Sequence, residues 1–241
     1  MQRISRLLAF LATFAVLTTS LAAATAAATP QDVVATLEKG YEALADLQAD
    51  FSQRTTIASL KREERGAGEL FIKKTAGGAA MFRFNYSKPH QQIISNGKTV
   101  WYYLPENKQV MITDAASLFE GGNAMALNYL TGMGHLSADF TVAFAEERRD
   151  TKGNYILDLV PKKKSPAVAK LQLTVSARAV EEFQASGTVR EPFPVISSVI
   201  YDQIGNRTRI DYSKLRVNRG VGSDRFTFKV PAGVEVIKPG K

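Results

Sequence analysis

The chain has no cysteine, two histidines and one tryptophan among its 241 residues. Without cysteine there are no disulfides and no thiolate chemistry, so stability has to come from burial and strand pairing. His90 follows a proline in "KPHQQ" and reads as a solvated loop residue, while His135 closes a glycine-rich stretch and reads as structural. Two histidines with no His-Glu-x-x-His spacing and no cysteine provide no zinc cage. After residue 28 no apolar run approaches the length of a membrane-spanning helix.

The motifs of catalysis are also missing. Ser95-Asn96-Gly97-Lys98 has the Ser-x-x-Lys spacing of acylating enzymes. That chemistry needs both side chains on one helix face, and Asn-Gly in the middle makes a hairpin turn instead. Ala185-Ser186-Gly187 lacks the first glycine of Gly-x-Ser-x-Gly, and "GAGEL" has no Gly-Lys-Ser/Thr after it to form a phosphate loop. Glu146-Glu147 and Glu181-Glu182 are adjacent pairs, read as strand neighbours that point to opposite faces and cannot act as acid and base together.

The first 28 residues read as a secretory leader. Arg3 and Arg6 give the basic start, Leu7 to Leu21 is mostly apolar, and small residues follow, with cleavage after Ala24, Ala26 or Ala28. Residues 29–241 are then one domain. The formal charge of +8 includes the leader's two arginines. Its basic residues are scattered, with Lys162-Lys163-Lys164 the only run of three, so solvated faces are expected and nucleic-acid binding is not.

Thr29-Pro30-Gln31-Asp32 is a helix start, with a capping threonine, a proline in the first turn and an acid three residues past the cap. Val33, Leu37, Tyr41, Leu44, Leu47 and Phe51 then recur every three or four residues, which predicts an amphipathic helix of about five turns. From Gly66 onward the period is two. Strands are expected around Gly68–Ile72, Phe82–Tyr86, Ile93–Ile94, Val100–Leu104, Gln109–Thr113, Tyr155–Val160, Leu171–Val175, Val195–Asp202, Arg207–Tyr212 and Phe226–Val230. Asn96-Gly97 and Gly205-Asn206 are two-residue hairpin signals. "NAMALNYLTGMG", starting near Asn123, predicts a short helix inserted between strands.

This pattern predicts a mainly β (α+β) domain: an antiparallel sheet of about ten or eleven strands that must curl, with helices as its only cover. Its concave face would carry Phe82, Phe84, Tyr86, Val100, Tyr102, Leu104 and Met111, with Trp101 a further candidate. Met125, Leu127, Leu130 and Met133 of the inserted helix would lie across it. Such a surface is either a dry core or an acyl-chain cavity. Burial of one methylene contributes about 0.8 kcal/mol, so a chain of ~15 carbons offers roughly 12 kcal/mol gross.

Several stretches in order resemble one family. They are "ADLQADFSQRT" (45–55), "GAGELFIKK" (66–74), "MFRFNYSKP" (81–89), "IISNGKTVWYYLPENKQV" (93–110), "GGNAMALNYLTGMGHLSADF" (121–140), "DQIGNRTRIDYSKLRVN" (202–218) and "FTFKVPAGVEVI" (226–237). Together they resemble the LolA family of lipoprotein carriers. The resemblance implies an open antiparallel half-barrel with helices as a lid, and a non-enzymatic, cofactor-free monomer in the periplasm of a Gram-negative bacterium. It further implies acylated lipoproteins as cargo, an inner-membrane ABC lipoprotein-release complex as donor and an outer-membrane acceptor. Members commonly carry Arg-Pro after the first strand, the arginine holding the lid through helix carbonyls. This chain has "KKTAGG" there, which transfers the latch to Lys74. Two other classes stay open: an acyl-chain-sensing or interaction module of envelope-stress signalling on the same half-barrel, and a periplasmic lipid hydrolase.

Overall fold

The computed structural model describes residues 27–75, 80–115, 135–165 and 168–238. The leader up to residue 26 and the expected helix near Asn123, with Met125, Leu127, Leu130 and Met133, lie outside the described residues.

The chain begins with α1 (Pro30–Ala43). Its start is the one anticipated: the Thr29 hydroxyl accepts from the Asp32 N–H at 3.2 Å, and the Asp32 carboxylate accepts from the Thr29 N–H at 2.7 Å. That reciprocal pair satisfies two helix-end donors and holds the Asp32 carboxyl below the usual carboxylate range. The helix is shorter than expected. Leu47 and Phe51 belong to β1 (Asp46–Ile57), not to α1. Leu47, Ala49 and Phe51 are all buried and alternate, so a two-residue period was hidden beneath an apparent helical one.

Among the described residues, twelve strands form one sheet. After β1 come β2 (Arg62–Lys74), β3 (Ala80–Lys88), β4 (Gln91–Ser95), β5 (Thr99–Leu104) and β6 (Gln109–Asp114). A one-turn helix α2 (Leu136–Asp139) precedes β7 (Phe140–Arg149), β8 (Tyr155–Pro161) and β9 (Lys170–Val175). Helix α3 (Ala177–Ser186) leads to β10 (Val195–Tyr201) and β11 (Arg207–Val217), and β12 (Glu235–Ile237) ends the sheet. Two meanders, β1–β6 and β7–β11, are joined by the long antiparallel β1–β11 pairing. The sheet order is β12-β6-β5-β4-β3-β2-β1-β11-β10-β9-β8-β7, with β12 and β7 left as edges, so the sheet is open.

Four details differ from the sequence reading. α3 was not anticipated, and Glu181-Glu182 sits on it, about 100° apart around a helix rather than on two strand faces. The Gly205 turn is longer than two residues: Asp202 N–H donates to the Asn206 carbonyl at 3.1 Å, and Gly205 takes φ 86° between them. Phe226–Val230 is not a strand; Phe226 ends a 3-10 turn (Ser223–Phe226), and the tail crosses the convex face before β12. β12 pairs with β6 in parallel, the one parallel ladder of the described sheet.

Residues on the concave face make the main core. Leu47, Leu70, Ile72, Phe82, Leu157 and Leu173 pack there under Val33, Leu37 and Tyr41 of α1. A smaller cluster on the convex face joins Phe71 and Met81 to Val221 and Phe226 of the tail. The β2–β3 contact is close enough to require glycine, since a Cβ on Gly68 would stand 1.9 Å from the Asn85 carbonyl oxygen.

Candidate functional site: the concave face

Strand alternation sorts the expected site residues into two groups. Phe82, Phe84 and Tyr86 on β3 lie opposite Ser95, Ile93 and Gln91 of β4. Ser95 and Ile93 lie opposite Val100 and Tyr102 of β5, and these in turn face Thr113 and Met111 of β6. Phe82, Phe84, Tyr86, Val100, Tyr102, Leu104 and Met111 therefore share the concave face. Trp101 does not. It is paired with Ile94 and Ile112 and meets Phe228 of the tail at 6.2 Å between ring centroids. Tyr103 meets the same Phe228 ring at 5.2 Å. Alternation requires Trp101 and Tyr102 to point to opposite faces; Tyr102 takes the concave side, so Trp101, the further candidate for the cavity, is on the convex one.

The concave face is graded from dry to open. Phe82 is fully buried and Val100 is 3% exposed, whereas Met111 on the same face is 41% exposed. Ile93, Tyr102 and Leu104 between them are half-buried. At the other end of the sheet Val142 and Phe144 of β7 are again only partly covered. The stretch from Ala115 to His135, which contains the undescribed insertion, connects the open β6 end to α2.

The dry half is built from aromatic edges. Phe51 meets Phe84 at 5.6 Å and Tyr86 at 4.8 Å, both edge-on, a geometry in which a ring's positive rim faces its neighbour's negative face. The Tyr86 hydroxyl donates to Gln53 Oε1 at 2.8 Å, and burial pushes its pKa up to about 12. Tyr212 shares a hydrogen bond with Ser198 Oγ at 3.2 Å, and burial raises both Tyr41 and Tyr212 still further. At the open end the Tyr102 hydroxyl donates to Gln91 Oε1 at 2.9 Å. Its phenol is satisfied and its ring side remains available for apolar contact.

α1 is held over this face at three points. The Lys74 ammonium, at the end of β2, donates to the backbone carbonyl of Tyr41. Asn218 donates to the Ala43 carbonyl at 2.9 Å and accepts from the Ala45 N–H at 2.8 Å. Glu38 accepts from both the N–H and the hydroxyl of Ser137 in α2, each at 2.8 Å. Sequence reasoning singled out Lys74; it missed Asn218 and Glu38, whose partners are 175 and 99 residues away. Burial lowers the Lys74 pKa, opposed by the nearby Glu42.

The Ser95–Lys98 spacing does not bring a serine and a lysine together. Ser95 is buried and its Oγ accepts from the Gly97 N–H at 3.1 Å, while Lys98 is exposed at the turn. Asn96 Oδ1 accepts from the N–H groups of Lys98 and Thr99, the Asn96 N–H donates to the Thr99 carbonyl at 3.2 Å, and Gly97 takes φ 87° in the turn that joins β4 to β5. His90 and His135 are exposed. Among the described residues, no group of three or more His, Cys, Asp or Glu could hold a metal ion.

The chain is similar to known proteins over most of its length. Residues 42–190 match the family model described as outer membrane lipoprotein carrier protein LolA. An outer-membrane lipoprotein carrier protein of Pseudomonas paraeruginosa is 30% identical over 91% of this chain and 92% of its own length. One from Xanthomonas oryzae is 28% identical over 93% of this chain and 95% of its own. Among solved structures, a LolA superfamily protein from Nitrosomonas europaea aligns with 84% of this chain and 99% of its own at 14% identity, with a TM-score of 0.39. The chain belongs to the LolA family of outer membrane lipoprotein carrier proteins.

Proposed function

We propose that this protein is a periplasmic carrier that shelters the acyl chains of lipoproteins on its concave face. It would receive them from an inner-membrane ABC release complex and surrender them to an outer-membrane acceptor, without covalent chemistry. The observation that supports this most is the gradient along one face, from fully buried Phe82 to Met111 at 41% exposure. A finished core has no reason to leave the Met111 thioether exposed and Ile93, Tyr102 and Leu104 half-buried on its inner side. A carrier does, because its cargo completes the burial. Methionine and leucine adapt to variable apolar shapes through dispersion contacts, which release as readily as they form.

Export by a cleavable leader over residues 1–28 belongs to this reading, as does a lid completed by Met125, Leu127, Leu130 and Met133 of the insertion. Lys74 acts at the lid's base by holding α1. Among the described residues no helix is long and apolar enough to cross a membrane.

Depletion in the native host tests the proposal. Outer-membrane lipoproteins should accumulate in the inner membrane as the protein disappears, and unaltered sorting would remove the carrier reading.

A further inference from the structure

The β10–β11 ladder ends before β11 does. β11 stays paired with β1 as far as Val217, but its ladder with β10 stops at Ser197–Asp211. From Tyr212 to Val217, β11 has no ladder partner on its β10 side among the described residues. Two local features cause this. Pro192 and Pro194 bracket Phe193 just before β10, and proline has no N–H to lend a ladder. The Pro194 carbonyl is already engaged by the Ser176 N–H at 2.9 Å. On the facing strand, Lys214 takes φ 51° where the β1–β11 register shifts, a bulge that bends β11 away.

Between the diverging segments lies a cleft of about 700 Å³. Arg178, Arg190, Arg216 and Arg219 line it against one carboxylate, Glu191, which is ion-paired to Arg178. Arg190, Arg216 and Arg219 form no ion pair with any described residue. Leu215 also lines the cleft and is 41% exposed.

We propose that this cleft receives an extended acidic segment of a partner protein, added as a strand to the free edge of β11 between Ser213 and Val217. A strand edge without a neighbour is a template for main-chain hydrogen bonds, which gives affinity, while alternate side chains give selectivity. Here one side of the added strand meets Leu215 and the other meets guanidinium groups, whose fork geometry suits carboxylates. A lipid headgroup would satisfy the arginines but not the strand edge. Arg216 lies opposite Gln48 in the β1–β11 register, on the face away from Leu47, whereas Phe193 and Val195, which also line the cleft, belong to the main core. The peptides that test this proposal carry no acyl chain, so the outcome is distinguishable from that of the acyl-chain reading.

The test is an amide NMR titration of the purified exported protein with three end-blocked hexapeptides: alternating glutamate and valine, alternating lysine and valine, and the glutamate peptide N-methylated at alternate positions. The glutamate peptide should shift amides of Ser213 to Val217 and of Val195 and Ile196. It should bind the Arg190→Glu/Arg216→Glu variant about tenfold more weakly. Both arginines are exposed, and unchanged spectra elsewhere would show the variant folded. N-methylation should weaken binding by a similar factor. Absent shifts at Ser213–Val217, equal binding of the lysine peptide, or equal binding of the N-methylated peptide would each overturn the proposal.

Discussion

Lys74 Nζ donates to the Tyr41 carbonyl in the last turn of α1. That turn has no basic residue of its own, so a strand lysine supplies the positive charge that a helix C-terminus favours. Lys74 thus holds the first helix by its last turn. Lys74→Met is expected to lower stability by about 1–2 kcal/mol, and Lys74→Arg to restore most of it. Urea unfolding of the three proteins checks this. Equal midpoints for wild type and Lys74→Met would show that the contact contributes nothing.

Much of this arrangement was legible in the sequence. Thr29 and Asp32 announced the helix start, Asn96-Gly97 announced its hairpin, and the alternation of Phe82, Phe84 and Tyr86 announced the buried face. Three things were obscured for physical reasons. Leu47 and Phe51 fit both a helical and a strand period, so β1 was absorbed into α1. Phe226 and Phe228 alternate as in a strand, yet they are anchors of a strap: Phe226 packs on Phe71, and Phe228 on Trp101. The β10–β11 cleft depends on a register shift between strands far apart in sequence, which composition does not reveal.

The position of Trp101 makes a spectroscopic prediction. It is the only tryptophan and it packs on the convex face against Phe228. An apolar ligand entering the concave face should leave its emission nearly unchanged. In a Trp101→Phe background, Tyr102→Trp should respond to the same ligand with a blue shift. The reverse pattern would mean that the ligand binds on the convex side.

Alkali should unfold this protein in a characteristic way. The Tyr86 pKa is raised from 10.0 to about 12, chiefly by burial, and Tyr41 and Tyr212 are raised further. The folded state therefore keeps protons that the unfolded chain gives up from about pH 10. These tyrosines' contribution to stability is complete below that pH and is lost as pH rises toward and beyond 12. Phenolate absorbance should show them ionising together with loss of circular dichroism. Their titration near pH 10 in a still-folded protein would contradict the assigned burial.

Gly68 tests the close β2–β3 approach. A methyl group there would stand 1.9 Å from the Asn85 carbonyl oxygen, which is backbone and cannot swing aside. Gly68→Ala should cost about 2–3 kcal/mol and lower Tm by roughly 4–12 °C. Calorimetry decides, and an unchanged Tm would mean that the two strands separate more easily than their register implies.

The central claim is that cargo lies on the open end of the concave face. A diacylated lipopeptide carrying a diazirine at the end of one acyl chain measures this directly. After photolysis, crosslinks should map to Ile93, Tyr102, Leu104 and Met111, and should fall sharply in Met111→Glu. Crosslinks confined to Trp101, Tyr103 or Ile112, or none above the level of a soluble control protein, would contradict the account.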